Sequence, residues 1–121
     1  MSMIAVVFII NATLLILHEI ESAYWKEWEI LKLPGGITGF LLLHIPILLL
    51  MFYGLIEVVK QSAAGYIFCI IFGFGGLLPF VVHMLLVRKN DRFNLFISKL
   101  LIYSNVISGI ILLIMTIQKV F

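Results

Sequence analysis

Three histidines, His18, His44 and His83, and the carboxylates beside the first of them are the residues here best suited to proton or metal chemistry. His18 and Glu21 stand three residues apart, so on a helix they share one face. Three imidazoles and one carboxylate suit Zn²⁺ or a non-haem iron. The expected ligand set is His18, Glu21, His44 and His83. A metal held this way can polarise a carbonyl or generate hydroxide near neutral pH. Without a metal, His18 and Glu21 are the expected catalytic pair, passing protons to and from a substrate as general acid and base. Haem, ligated by two histidines on facing helices, ranks below a bare ion, because the chain is small and all three histidines sit near a helix end. The bland alternative is that a His–Glu pair only bonds two helices together, for about 0.6 kcal/mol.

The elements that must position these groups follow from composition. The chain has 121 residues, 64% hydrophobic and 12% charged, with a mean hydropathy of +1.24. A soluble domain is roughly a quarter charged, and one of this size cannot hide so much apolar surface. Lipid is therefore the solvent for most residues, and the expected fold is all-α: an integral membrane bundle of four transmembrane helices. The spans are expected at about 3–24, 37–59, 63–87 and 93–117 within one domain, 1–121. A short interfacial segment follows the first, where Tyr24, Trp25 and Trp28 interleave with Lys26, Glu27 and Glu29. In this reading Trp25 and Trp28 are belt anchors and Glu19 is an interfacial charge. Leu33-Pro34-Gly35-Gly36 then breaks the chain.

With four spans, the first and third loops share one face. That face carries Lys26, Lys32, Arg88, Lys89 and Arg92, with Lys99 close by, against Lys60 and Lys119 on the other. The charge bias puts those loops in the cytoplasm and both termini outside it. At about 1.5 Å per residue, all three histidines then lie at similar depth, roughly 7–12 Å below the cytoplasmic surface. Nothing about hydrophobicity requires that coincidence. In the fourth span Asn94, Ser98, Leu101, Asn105, Ser108 and Leu112 form a mostly polar stripe, which should face the bundle interior. Ser98 and Asn105 are the expected supporting partners of the ligands. In the third span Cys69, Gly73, Gly76, Phe80 and His83 share a face whose small residues let another helix approach. Glu57 lies near the opposite surface and is left out of the site.

Several classes are excluded. A net charge of +2 without a basic run does not suit nucleic acid. Cys69 is the only cysteine, so no disulfide framework forms within one chain. The first apolar run has no Lys or Arg before it and reads as a retained helix rather than a signal peptide.

The segment from His18-Glu19-Ile20-Glu21-Ser22-Ala23 to Glu27-Trp28, together with Leu43-His44-Ile45-Pro46, resembles an uncharacterised family of short bacterial membrane proteins. Its members carry a His-Glu-Leu-Asp-Ala-like motif, then Glu-Trp, then Leu-His-Val-Pro. His18, Glu19, Glu21, Glu27, Trp28, His44 and Pro46 match, with Glu21 standing for Asp and Ser22 for Ala. More distantly the chain is similar to the sterol-isomerase-like membrane families named for H-x-x-E-E, with Ser22 where the second Glu stands. The resemblance implies a bacterial cytoplasmic membrane and brings no substrate. The leading expectation is an intramembrane His/Glu site near the cytoplasmic face, working on an apolar, lipid-like substrate from the bilayer. The rival is a non-catalytic subunit or assembly factor that docks a larger membrane complex through the glycine face. A third expectation is a homo-oligomeric channel, for which no acidic ring marks a filter.

Overall fold

The structure, a computed structural model, describes residues 1–87 and 92–121; Arg88, Lys89, Asn90 and Asp91, two of them used in the charge count above, lie outside the described residues. It is all-α. Four helices are long and apolar enough to cross a membrane: α1 (Met3–Tyr24), α3 (Gly36–Val59), α4 (Ala63–Val82, extended by one widened π turn, His83–Val87) and α5 (Phe96–Val120). The interfacial segment contains a single helical turn, α2 (Glu27–Ile30).

Local chemistry explains the ends. The Ser2 hydroxyl accepts from the Ala5 amide at 3.3 Å, and Ser62 accepts from Gly65 at 3.0 Å, so both serines cap exposed amides of a first turn. Lys26, with φ 54°, turns the chain from α1 into α2. Gly35, with φ 98°, starts α3 in a backbone region that costs glycine nothing. The fourth span was expected from residue 93, yet α5 begins at Phe96. Phe93 has φ 65° and Leu95 is extended, so the chain turns Phe93 into the protein before the helix starts.

Three helices make the core, and each carries one seam of buried residues. In α1 the seam is Ile4, Phe8, Asn11, Leu15, His18 and Ser22. Along α4 it is Gly65, Cys69, Phe72, Gly76 and Pro79, ending at His83. In α5 it is Ser98, Ile102, Asn105, Gly109, Leu112 and Thr116. The steps alternate four and three, a mean of about 3.5 residues, which is the period of helices that wrap around each other with a left-handed twist. The seams interlock most closely where side chains are smallest. A Cβ added at Gly76 would meet Asn11 Oδ1 at 2.5 Å and the Asn105 carbonyl at 2.8 Å. At the same level Asn11 Nδ2 donates to the Phe72 carbonyl and Ser108 Oγ donates to Asn11 Oδ1, both at 2.7 Å. These bonds pair Asn11 and Ser108, polar groups that lipid cannot satisfy, while the Asn105 amide beside them is buried without a partner. The glycine face of α4 is therefore taken up inside the chain, by α5 and α1.

Helix α3 stands outside this core. Of its most apolar stretch 11% of residues are buried, against 33% in each of the other three spans. It is pinned to α4 at their hairpin, where Gly54 meets Phe68, Gly65 meets the Glu57 backbone, and Ser62 Oγ donates to Glu57 Oε2 at 2.7 Å. At its other end, around Pro46, α3 and α4 leave a cleft between them.

Candidate metal centre

His18 is buried because it occupies the last but one position of the α1 seam. His83 occupies the matching end of the α4 seam, where the helix widens into its π turn; such irregular turns recur at functional sites. Glu27 arrives from below. The left-handed Lys26 folds α2 back under the bundle, and the first residue of α2 points its carboxylate upward between the two rings. Arg92 fixes that fold, donating to the carbonyls of Trp25 at 3.0 Å and Lys26 at 3.4 Å and pairing with Glu29 at 3.2 Å.

The three groups converge. His83 Nε2 lies 3.5 Å from Glu27 Oε1, and His18 Nε2 lies 3.9 Å from Glu27 Oε2. The two imidazole centroids are 5.0 Å apart. One ligand atom from each residue falls within 4.8 Å of the others, and all three residues are buried. Ligand atoms about 2.0–2.1 Å from a tetrahedral zinc are about 3.4 Å from one another. The two imidazole–carboxylate separations lie within about half an ångström of that, and the remaining one lies within 4.8 Å. Phe93 lies against the site, its ring edge-on to His83 at 4.4 Å and 6.1 Å from His18, and it keeps water from that side.

Two observations fit this set to a cation. His18 Nδ1 and His83 Nε2 are buried and have no hydrogen-bond partner. A buried polar atom left unpaired costs about 1–3 kcal/mol; His83 Nε2 points into the group, 3.5 Å from Glu27 Oε1, while His18 turns its Nε2 toward Glu27 and, at 3.4 Å, toward Ser22 Oγ. Glu27 is the complementary charge. Burial by itself pushes its carboxyl up, but His83, Ser22 and the charge of His18 together outweigh burial and hold it below the ordinary carboxylate range. An ionised carboxylate between two imidazoles is a donor set of catalytic zinc sites and of facial-triad iron, both of which keep positions open.

The expected ligands divide between three places. His18 and His83 meet. Glu21 does not join them: it accepts from Ser98 Oγ on α5 and, at 3.4 Å, from Trp25 Nε1. The α1 seam runs through Ser22 rather than Glu21, which turns Glu21 toward α5. Ser98 therefore partners Glu21, and Asn105 lies further along α5 beside Gly76. His44 stands apart on α3, where its Nδ1 donates to the Phe40 carbonyl at 2.7 Å and its Nε2 meets Glu19 Oε2 at 2.5 Å. The Phe40 ring stacks on the imidazole at 4.1 Å.

Three residues were missed. Glu27 read as one charge among several at the interface; its place in the Glu-Trp pattern was the available signal. Glu19 read as an interfacial charge, and Phe93 as the first residue of a span. No periodicity marks a residue whose placement depends on a left-handed turn.

Between the His18/Glu27 group and the Glu19–His44 pair lies the cleft, of about 260 Å³. Its polar end holds His18, Glu19, Glu27 and His44; Phe40, Leu43, Ile47, Leu78 and Val82 line the remainder. Leu43 and Leu78, 54% and 60% exposed, stand where the cleft opens sideways, toward the surface that faces lipid.

No curated protein and no solved structure matches the chain. A family model does match, over residues 4–119, and the chain belongs to that family: the family of unknown function DUF6713.

Proposed function

We propose that this member of the family holds a divalent transition metal, zinc or iron, on His18, Glu27 and His83, and works on an apolar substrate that reaches it through the cleft. The observation that carries the reading is the convergence of two buried imidazoles on one buried carboxylate, with one ligand atom from each residue within 4.8 Å of the others.

Each residue has a role in this reading. His18 and His83 supply neutral nitrogen ligands from two different helices, so the site forms only when α1 and α4 pack. Glu27 supplies the negative charge that makes a dication tolerable in a buried position. Phe93 excludes water and lowers the local dielectric, which strengthens every electrostatic contact inside. A metal bound here would polarise a substrate oxygen or activate water near neutral pH. The Glu19–His44 pair, across the cleft, is placed to move a proton to or from the same substrate. Lys26, Lys32 and Arg92 at this end support a site near the cytoplasmic face, with both termini outside the cytoplasm.

Elemental analysis of the detergent-purified protein, made without chelators or a histidine tag, tests the reading. The native chain and a His44→Ala variant are expected to carry near-stoichiometric zinc or iron. A His18→Ala/His83→Ala variant is expected to carry none. Metal at background in the native chain, or retained in the double variant, refutes it.

A further inference from the structure

The cleft selects its ligand by charge and by width, and both can be read from its walls. We infer that it takes a single-chain amphiphile with a small uncharged oxygen head, an alcohol, aldehyde or ketone, from the bilayer. The inference rests on the metal reading for the role of His18 and Glu27, and adds the class of molecule that meets them.

The residues that line the polar end set its charge. Two carboxylates, Glu19 and Glu27, face the cleft with His18 and His44, and among the described residues no lysine or arginine does. A phosphate, sulfate or carboxylate head would meet the Glu27 carboxylate and the hydrogen-bonded Glu19–His44 pair, with no lysine or arginine among the described residues there to offset its desolvation. An uncharged oxygen has no such cost. It can accept from the imidazole side or rest on the metal, and it needs only one good partner.

A cleft of about 260 Å³ lies just under the ~300 Å³ at which ligand pockets usually start. It houses a head and the first part of one chain. The rest of the chain continues past Leu43, Ile47 and Leu78 into the lipid that bathes the outer face of α3.

The head is thereby set between two unlike groups. The metal-ligand cluster lies on one side and the Glu19–His44 pair on the other, 2.5 Å between their own polar atoms. Such a ligand brings its reactive oxygen to the polar end and leaves its tail outside, so chain length is read loosely and head charge strictly.

Native mass spectrometry of the full-length protein released from detergent tests the inference, with zinc added and hexadecanol, hexadecanoate and hexadecyl phosphate as probes. Hexadecanol is expected to bind once per chain, and neither anion to displace it at equal concentration. Filling the cleft with Leu43→Phe/Ile47→Phe should weaken hexadecanol at least about tenfold, whereas Leu49→Phe, on the lipid face of the same helix, should leave it unchanged. Displacement by either anion, or full binding in the filled variant, overturns the inference. Bound zinc is counted in the same spectra, which separates the two readings. Zinc without hexadecanol sinks the inference and leaves the metal centre standing. Hexadecanol without zinc supports the ligand class and sinks the metal centre.

Discussion

Replacing Glu27 by Gln asks which carboxylate completes the histidine pair. The change keeps the volume of the side chain and removes its charge, so α2 stays seated by Arg92 while the anionic ligand is lost. A ligand that binds only the folded chain stabilises it by about 2.7 kcal/mol at one hundred times its dissociation constant. For a chain of this length that is a shift in the unfolding midpoint of about 10 °C. Circular dichroism melts of the detergent-solubilised protein, with and without saturating zinc, measure it. The native chain should gain about 10 °C, and Glu27→Gln and His83→Ala should gain under about 2 °C. Glu21→Gln is the informative control. Its carboxylate is the one that sequence spacing favours, and it lies with Ser98 on α5 instead. It should keep the full gain. Loss of the gain in Glu21→Gln, with retention in Glu27→Gln, would refute the placement of α2 and the argument built on it.

Other expectations concern the supports of the site and the seam. Arg92→Ala removes the bonds to the Trp25 and Lys26 carbonyls and to Glu29 that hold α2 in place, and should weaken zinc binding about tenfold with helicity unchanged, measured by chelator competition. Phe93→Ala uncovers the His83 ring and should speed removal of the metal by EDTA, followed by stopped flow, while leaving its stoichiometry intact. Gly76→Ala places a methyl 2.5 Å from Asn11 Oδ1 and should destabilise by about 1–3 kcal/mol in detergent unfolding; Gly75→Ala, whose nearest neighbour is 3.7 Å away, should be close to neutral. Asn11→Ala removes two interhelical bonds and should cost about 1–2 kcal/mol in the same assay.

The sequence carries the fold openly and the site in part. Long apolar runs broken by Pro34-Gly35-Gly36 and by Lys60-Gln61-Ser62 leave little choice but four spans, because backbone polar groups in lipid must be satisfied within a helix. The common depth of the histidines predicts that some of them meet, and His18 and His83 do. Spacing cannot give helix rotation. A shift of one residue in the α1 seam, from Glu21 to Ser22, sends the neighbouring carboxylate to α5 and leaves the place between the imidazoles to Glu27. Nor can spacing show that α3 stands aside, so that His44 pairs with Glu19 across a cleft instead of joining the other two. Both outcomes depend on which small residues let which helices touch.

The position of α3 outside the three seams divides the chain into two regimes of substitution. Along α1, α4 and α5 a seam residue is constrained in volume, since Gly73 touches Leu113 and Gly76 touches Asn11 with no room for a methyl. Along most of α3 the neighbour is lipid, which accepts Leu, Ile, Val or Phe alike. A saturation library should therefore find α3 permissive to any apolar residue over most of its length. Intolerance should be confined to Met51, Gly54 and Val58, which meet protein at the hairpin half, and to Phe40 and His44, which hold the polar end of the cleft. The helix that varies most freely would then be the one that sets what the protein can bind.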